Sequence, residues 1–143
     1  MANTTNTQPV AVTPATPARA ADKSKAVVAT VAAWLIPGAG HFVLRRWIRG
    51  TLLLAAVSTM FFLGLGMEGK VYAFNTGDLL DILGFFGDVG SGVLYFLARN
   101  MDWGHGAIHR ATADYGTKFI IVAGLLNIIS AADAYHIATG KKQ

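Results

Sequence analysis

Four of the ionisable side chains inside long apolar stretches of this sequence, where charged groups are costly, could do chemistry. They are His41, Asp88, Asp133 and His136. A ring nitrogen of histidine can ligate the metal of a haem or chlorin, and imidazole and carboxylate groups relay protons across membranes. The chemistry indicated is therefore pigment or haem ligation at His41 or His136, or ion transfer through Asp88 and Asp133.

Each of these groups also has a structural interpretation, which we favour. His41 would bond the carbonyl that Pro37 leaves free, or an aspartate on another helix. His136 would pair with Asp133 one turn earlier, or anchor the end of its helix at the membrane interface. Asp88 would accept hydrogen bonds inside the bundle. Pigment and lipid contacts are the cofactor interactions that we leave open.

A second histidine pair, His105 and His109, has the i, i+4 spacing of a helical metal site. Gly104 and Gly106 argue against one helix through both, and no glutamate separates the two histidines as it does in metalloproteases. A polar loop at the membrane interface explains the segment better. The chain also has no cysteine, which excludes disulfides and thiolate chemistry. We therefore predict no catalytic residue and no metal site.

The helices that must position these groups can be predicted from the separation of charged residues and long apolar stretches along the sequence. Of 143 residues, 53% are hydrophobic and 14% charged, with a mean hydropathy of +0.44, whereas globular domains are about a quarter charged. A hydrocarbon core of about 30 Å requires about 20 apolar residues in a helix. The sequence predicts an all-α integral membrane protein with about four transmembrane helices, at residues 26–44, 51–67, 79–98 and 117–138.

The first of these windows contains a break. Pro37 removes a backbone hydrogen bond in its middle, and Gly38 and Gly40 loosen the backbone further. Two structures fit, a kinked spanning helix or two short helices with a bend at Pro37. Because broken backbone is tolerated in lipid only when protein or water covers it, we expect this segment to face other helices.

The third window carries Asp88 near its centre, at a cost of about 3 kcal/mol on an insertion scale. We expect Asp88 to face a neighbouring helix instead of lipid. Gly84 and Gly87 precede it at the spacing of a small-residue face, which suits close contact between helices. Residues 1–25, in contrast, are rich in Thr, Ala, Asn and Pro, and predict an extended tail of low complexity before the membrane domain, 26–143.

The basic residues predict interfacial anchors instead of a nucleic-acid site. A cluster of them follows the first window, and we assign it to the lipid headgroups: Arg45, Arg46, Trp47 and Arg49. With four spans, Lys and Arg divide six to six between the two sides. The even number of spans predicts both termini on one side, which we assign to the cytoplasm of a bacterial inner membrane.

The segment WLIPGAGHFVLRRWIRG resembles the signature of the two-transmembrane-helix domain family of small prokaryotic membrane proteins. That family also places an aspartate late in its final helix, to which Asp133 corresponds. The sequence is still more similar to an uncharacterised family of four-helix bacterial membrane proteins with an Asp-Ala-Tyr ending. Residues 79–116 have no counterpart in the shorter family. The resemblance implies a membrane fold and no settled activity. The matching residues are Pro37, Gly38, Gly40, His41, Phe42, Arg45 and Gly50.

The resulting functional prediction is a non-catalytic accessory or structural subunit of a larger membrane complex, for example one that carries pigment or electron-transfer cofactors. Its partners would be membrane lipids and other membrane subunits, contacted through the helices and the tail. The alternative is a small oligomeric transporter or channel that uses Asp88, Asp133 and His41. A third interpretation is a membrane-bound enzyme built on the His105–His109 loop.

Overall fold

The computed structural model describes residues 18–74, 77–105 and 111–140. Within these ranges the chain is all-helical, and its only β-type pairing is an isolated bridge between Lys70 and His105. The first helix begins inside the segment predicted to be an extended tail; residues 1–17 lie outside the described ranges. The helices are α1 (Ala18–Leu35), α2 (Ala39–Val43), α3 (Trp47–Gly66), α4 (Leu79–Val89), α5 (Val93–Asn100) and α6 (Ala111–Ala138).

Two of the described helices, α3 and α6, are long and apolar enough to cross a membrane. The expectation of four spanning helices was therefore too high. The window 26–44 is divided between α1 and α2, and the window 79–98 between α4 and α5, which are bent by 112° at their break. Hydropathy measures the length of an apolar stretch, and two short helices that turn back have the same composition as one long helix.

Helix α6 is the central element, and α1, α3 and α4 all pack on it. Helix α3 runs antiparallel to α6, because Gly64 near its end lies against Gly116 near the beginning of α6. Helix α1 is antiparallel as well, since the carbonyl of Trp34 at its end meets Asn127 in the middle of α6.

Helices α1 and α2 form a hairpin, here called the first hairpin, which turns at Pro37 and Gly38. Gly38 has a φ of 79°, a left-handed conformation that favours glycine, and a Cβ there would overlap the carbonyl of Gly50. After the turn, Gly40 lies against Ala29 of α1 and Ala134 of α6. The chain thus returns to the end at which α1 began. We call this end, which carries Lys23, Lys25, Arg45, Arg46 and Arg49, the basic end.

Helices α4 and α5 form the second hairpin, and contacts of Lys70 show that it opens toward the other end of the molecule. The Nζ of Lys70 lies 3.7 Å from a carboxylate oxygen of Asp81, in the first turn of α4. The backbone of Lys70 pairs with His105, just beyond α5, and its N–H donates to Thr117 Oγ1 of α6 at 2.9 Å. Both ends of the hairpin therefore lie together, at what we call the acidic end, with Glu68, Asp78, Asp81, Asp102 and Asp114.

The two hairpins meet tip to tip. Gly92, the last residue of the turn of the second hairpin, lies against the carbonyls of Trp34 and Leu35 at the end of α1. Helix α4 has 11 residues and is therefore about 16 Å long, roughly half the thickness of a hydrocarbon core. The apolar part of α1, residues 26–35, has nearly the same length. Stacked end to end, the two half-length helices form a third column beside α3 and α6.

The apolar core is divided in the same way as the hairpins. Toward the acidic end, Phe61 of α3, Tyr95 of α5 and Ile120 of α6 belong to one buried cluster. Toward the basic end, Ala33 of α1 packs with Ala131 and Ala134 of α6. Large apolar side chains also cover the outside of the bundle, as expected of a surface that faces lipid. They include Val28, Leu52, Phe62, Leu83, Phe86, Leu125 and Ile129.

Candidate functional site

His41 and Asp133 connect the first hairpin to the last turns of α6. The Nε2 of His41 lies 3.2 Å from Oδ2 of Asp133. The histidine side chain is fully buried, whereas that of Asp133 is 24% exposed. This contact confirms the structural interpretation in which His41 bonds an aspartate on another helix. One ring nitrogen thus faces a carboxylate that reaches solvent, and the other points into the protein.

Asn127, near the middle of the apolar part of α6, holds the tips of both hairpins. Its Nδ2 donates hydrogen bonds to the carbonyl oxygens of Trp34, at 2.8 Å, and Gly90, at 2.9 Å. These carbonyls lie at the carboxyl ends of α1 and α4, where helices leave their last acceptors without a partner. An unsatisfied backbone group in hydrocarbon costs several kcal/mol. A single amide side chain therefore makes both breaks tolerable.

The contact between the hairpin tips depends on a glycine. Gly92 has a φ of 62°, and a Cβ there would overlap the carbonyl oxygen of Trp34. Because only glycine combines this backbone conformation with so close an approach, Gly92 fixes how near the two tips can come. The Gly-Ser-Gly sequence at residues 90–92 therefore marks the second break, as Pro37 marks the first.

Asp88 on α4 anchors the segment that follows α3. Its Oδ2 accepts a hydrogen bond from the backbone N–H of Tyr72 at 2.7 Å, and the Tyr95 hydroxyl donates to the carbonyl of Tyr72 at 3.3 Å. Val71 beside it is buried. Asp88 itself is fully buried, which confirms that it faces protein instead of lipid. Its place in the structure is to hold an extended segment against the second hairpin.

Of the two glycines predicted to permit close helix contacts in the third window, Gly87 lies against a helix and Gly84 against the segment that follows α3. A Cβ on Gly84 would collide with the ring of Tyr72, and a Cβ on Gly87 would lie 2.8 Å from Cγ2 of Ile121 on α6. Gly87 thus lets α4 approach α6, whereas Gly84 makes room for the side chain of Tyr72.

The basic cluster predicted as an interfacial anchor lies at the basic end, between α2 and α3. Arg45 and Arg49 are exposed, and Arg46 is half-buried. Trp47 is 66% exposed, with its ring centroid 5.4 Å from that of Phe42. An amphipathic ring among arginines is the composition typical of a membrane interface.

The remaining histidines are placed apart from these contacts. His136 is exposed near the end of α6, with its ring centroid 6.1 Å from that of Tyr135. His105 is exposed and bonds Asp102 at 2.7 Å, while His109 lies outside the described residues. Within the described ranges, no group of three His, Asp or Glu side chains is arranged to hold a metal ion.

Sequence reasoning missed three buried polar side chains, Asn127, Ser91 and Ser130. The available signal was weak, since a single asparagine or serine is common in apolar helices. Asn127 was nevertheless the only amide side chain of the fourth window. The chemistry that this buried set offers is hydrogen bonding.

The chain belongs to the family of unknown function DUF6677, whose model matches residues 28–143. The match covers nearly all of the hairpins and both long helices. No curated protein and no solved structure matches the chain. The resemblance of the opening segment to two-transmembrane-helix proteins stays a prediction.

Proposed function

We propose that this DUF6677 protein is a non-catalytic accessory or structural subunit of a larger complex in a bacterial inner membrane. The observation that carries the proposal is the use of the buried polar side chains. His41, Asp88 and Asn127 each hold a hairpin or a connecting segment in place. Side chains that maintain a fold support a structural role better than a catalytic one.

The outer surface offers room for other subunits. On α1, Val27, Val28 and Val31 are each more than half exposed, and they form an apolar strip at helical spacing. Lipid or the helices of other subunits would cover this strip. If the complex carries pigment or haem, His136 is the better placed ligand, because it is exposed on the outside of α6, whereas His41 is enclosed.

The hairpins also bear on which end of the protein faces the cytoplasm. If each hairpin enters the bilayer and returns to the same side, the six-to-six division of basic residues no longer holds. Described Lys and Arg residues then number six at the basic end, where Arg19 in the first turn of α1 adds to the five named above, and three at the acidic end: Lys70, Arg99 and Lys118. The positive-inside rule favours the basic end, and hence both termini, in the cytoplasm.

Purification from native membranes in mild detergent tests the subunit proposal. Mass spectrometry of co-migrating proteins, with an absorption spectrum of the same fraction, should reveal a stable set of partners. A chain without residues 1–17 is the matched variant, and we expect it to insert in the membrane but lose the partners. A lone, colourless homo-oligomer would contradict the proposal.

The second candidate is a small oligomeric transporter or channel that uses Asp88, Asp133 and His41. The observation that favours it is the inverted relation of the two halves. Each half is a hairpin followed by a long helix, and the hairpins open toward opposite ends and meet at the middle of α6. Broken helices that meet near the bilayer centre in inverted repeats are typical of transporters.

Flux measurements in proteoliposomes test this candidate. Asp88→Asn should abolish ion-dependent flux, because it removes a buried charge beside the hairpin junction. Asp114→Asn is the matched control, since Asp114 is an exposed partner of Lys118. Equal flux in the two variants, or none in the wild type, would contradict a transporter that uses Asp88.

A further inference from the structure

A groove on the outer surface of the bundle lies between α3 and α6, near the acidic end, and has a volume of about 150 Å³. Met60 of α3 forms one of its walls. The other wall consists of α6 residues that are spaced by three and four positions and so share one helix face: Tyr115, Lys118, Phe119 and Val122. From Tyr115 to Val122 the groove follows α6 for about 10 Å, or about a third of the thickness of a hydrocarbon core.

The groove is polar at one end only. Its inner part, at Met60 and Val122, is apolar. At the other end the Nζ of Lys118 reaches back by one turn to Asp114, in the first turn of α6, and Tyr115 beside them is exposed. A tyrosine and a lysine at the end of an apolar helix are typical of the headgroup level of a membrane. The groove therefore runs from the headgroups into the hydrocarbon.

The polar end carries one positive and one negative charge side by side. The Nζ of Lys118 lies 2.6 Å from Oδ2 of Asp114 and 5.5 Å from the centroid of the Tyr115 ring. Both side chains of this ion pair remain accessible to solvent. An ammonium group has three N–H donors, and a carboxylate has two acceptor oxygens. After the contact between them, Lys118 keeps donors for a further acceptor, and Asp114 keeps Oδ1 for a further donor.

A zwitterionic phospholipid with a primary ammonium group has the matching set of groups. Its phosphate oxygens would accept hydrogen bonds from Lys118, and its ammonium would donate to Oδ1 of Asp114. The two charges of such a headgroup are neighbours, as the two charges on the protein are, so each meets its opposite. A headgroup whose only charge is a phosphate would leave Asp114 beside a negative group. A quaternary ammonium group carries no N–H and would form no hydrogen bond with Asp114.

Another protein subunit fits this groove less well than a lipid does. An α-helix is about 10 Å wide, so it would lie over the groove and fill it with a single side chain. It would also cover Lys118 and Asp114, and the removal of two charges from water is costly. A lipid headgroup leaves this ion pair at the wet surface of the membrane, while the acyl chain covers the apolar walls.

We propose that the groove between α3 and α6 binds one zwitterionic phospholipid with a primary ammonium headgroup, of the phosphatidylethanolamine type. Lys118 holds the phosphate and Asp114 the ammonium, and the first part of one acyl chain lies against Met60, Phe119 and Val122. This inference goes beyond both candidate functions and depends on neither, since a subunit and a transporter alike would meet lipid on this face.

The first test is competition between lipids for the purified full chain, incubated in detergent with equal amounts of phosphatidylethanolamine, phosphatidylcholine and phosphatidylglycerol that carry the same acyl chains. Native mass spectrometry should show the first retained about fivefold more than either of the others, the effect of about one hydrogen bond. Asp114→Ala should abolish this preference. The matched variant Asp102→Ala, also exposed at the acidic end, should keep it. Equal retention of the three lipids by the wild type, or an undiminished preference in Asp114→Ala, would overturn the proposal.

The second test determines whether the lipid lies in the groove. Val122→Trp fills the groove, and Ile129→Trp adds the same side chain to α6 outside it; both positions are on the outer surface. Retention of phosphatidylethanolamine should fall at least about fivefold in Val122→Trp and stay at the wild-type level in Ile129→Trp. Equal retention by the two variants would place the lipid elsewhere on the protein and overturn the groove as its site.

Discussion

The amide nitrogen of Asn127 lies 2.8 Å from the carbonyl oxygen of Trp34, although the two residues are 93 positions apart in the chain. The same nitrogen lies 2.9 Å from the carbonyl of Gly90. Trp34 lies at the end of α1 and Gly90 directly after α4. These are the first helices of the two hairpins, which open toward opposite ends of the molecule. This one side chain of α6 therefore joins the ends of α1 and α4, the two half-length helices that stack beside α3 and α6.

Loss of this amide should destabilise the protein. Asn127→Ala leaves two buried carbonyls without donors, and we expect a loss of about 1–3 kcal/mol in the free energy of unfolding. Asn100→Ala, at the exposed end of α5, is the matched control and should change it by less than about 0.5 kcal/mol. Thermal unfolding in detergent compares the two, and equal stabilities would show that the junction does not depend on Asn127.

Gly92 should tolerate no side chain. Gly92→Ala combines a positive φ with a Cβ that overlaps the Trp34 carbonyl, and we expect a loss of about 3 kcal/mol. Gly66→Ala, where a Cβ meets nothing within 4 Å, should be neutral or slightly stabilising. The temperature at which each variant loses its monodisperse peak in size-exclusion chromatography measures the difference. A Gly92→Ala protein as stable as Gly66→Ala would refute the close contact of the hairpin tips.

A double-mutant cycle measures the coupling of His41 and Asp133. We expect a coupling free energy of about 1–2 kcal/mol between His41→Ala and Asp133→Ala, because one partner is fully buried. The exposed pair Asp114 and Lys118 is the reference, with a coupling below about 1 kcal/mol. Additive effects of the two substitutions at His41 and Asp133 would mean that the first hairpin is held by packing alone.

Asp88 should control the order of the segment around Tyr72. In Asp88→Ala the Tyr72 N–H loses its acceptor, so its amide hydrogen should exchange with solvent faster than in the wild type. Asp114→Ala removes a carboxylate whose partner is Lys118 on the same helix and should leave this exchange unchanged. Hydrogen–deuterium exchange of a peptide that covers residues 70–74 measures both. Unchanged exchange in Asp88→Ala would contradict the anchoring role of Asp88.

Local features of the fold were readable from the sequence. Pro37 predicted a break in the first apolar window. Because unpaired backbone groups cost free energy in lipid, we expected other parts of the protein to cover this break. The same reasoning placed Asp88 against protein and offered an aspartate partner for His41. These predictions succeeded because each depends on the cost of a single polar or backbone group in an apolar medium.

The direction of the chain after each break could not be predicted from the sequence. Whether a helix continues or turns back at Pro37 depends on contacts with α6 that are distant in sequence, such as Gly40 against Ala134. The break at residues 90–92 escaped notice because glycine and serine also occur in continuous membrane helices. The role of Asn127 can be recognised only when the structure places the tips of both hairpins beside it.

The most direct test of this architecture is the sidedness of three single cysteines in the cysteine-free chain: Ser24→Cys, Arg49→Cys and Ala73→Cys, at positions that are all exposed. Labelling with an impermeant maleimide, in inside-out and right-side-out membrane vesicles, assigns each to one face. Two hairpins that open toward opposite ends predict Ser24→Cys and Arg49→Cys on the cytoplasmic face and Ala73→Cys on the other. Labelling of Ser24→Cys together with Ala73→Cys, and of Arg49→Cys from the opposite face, would instead establish four continuous spans and contradict this account.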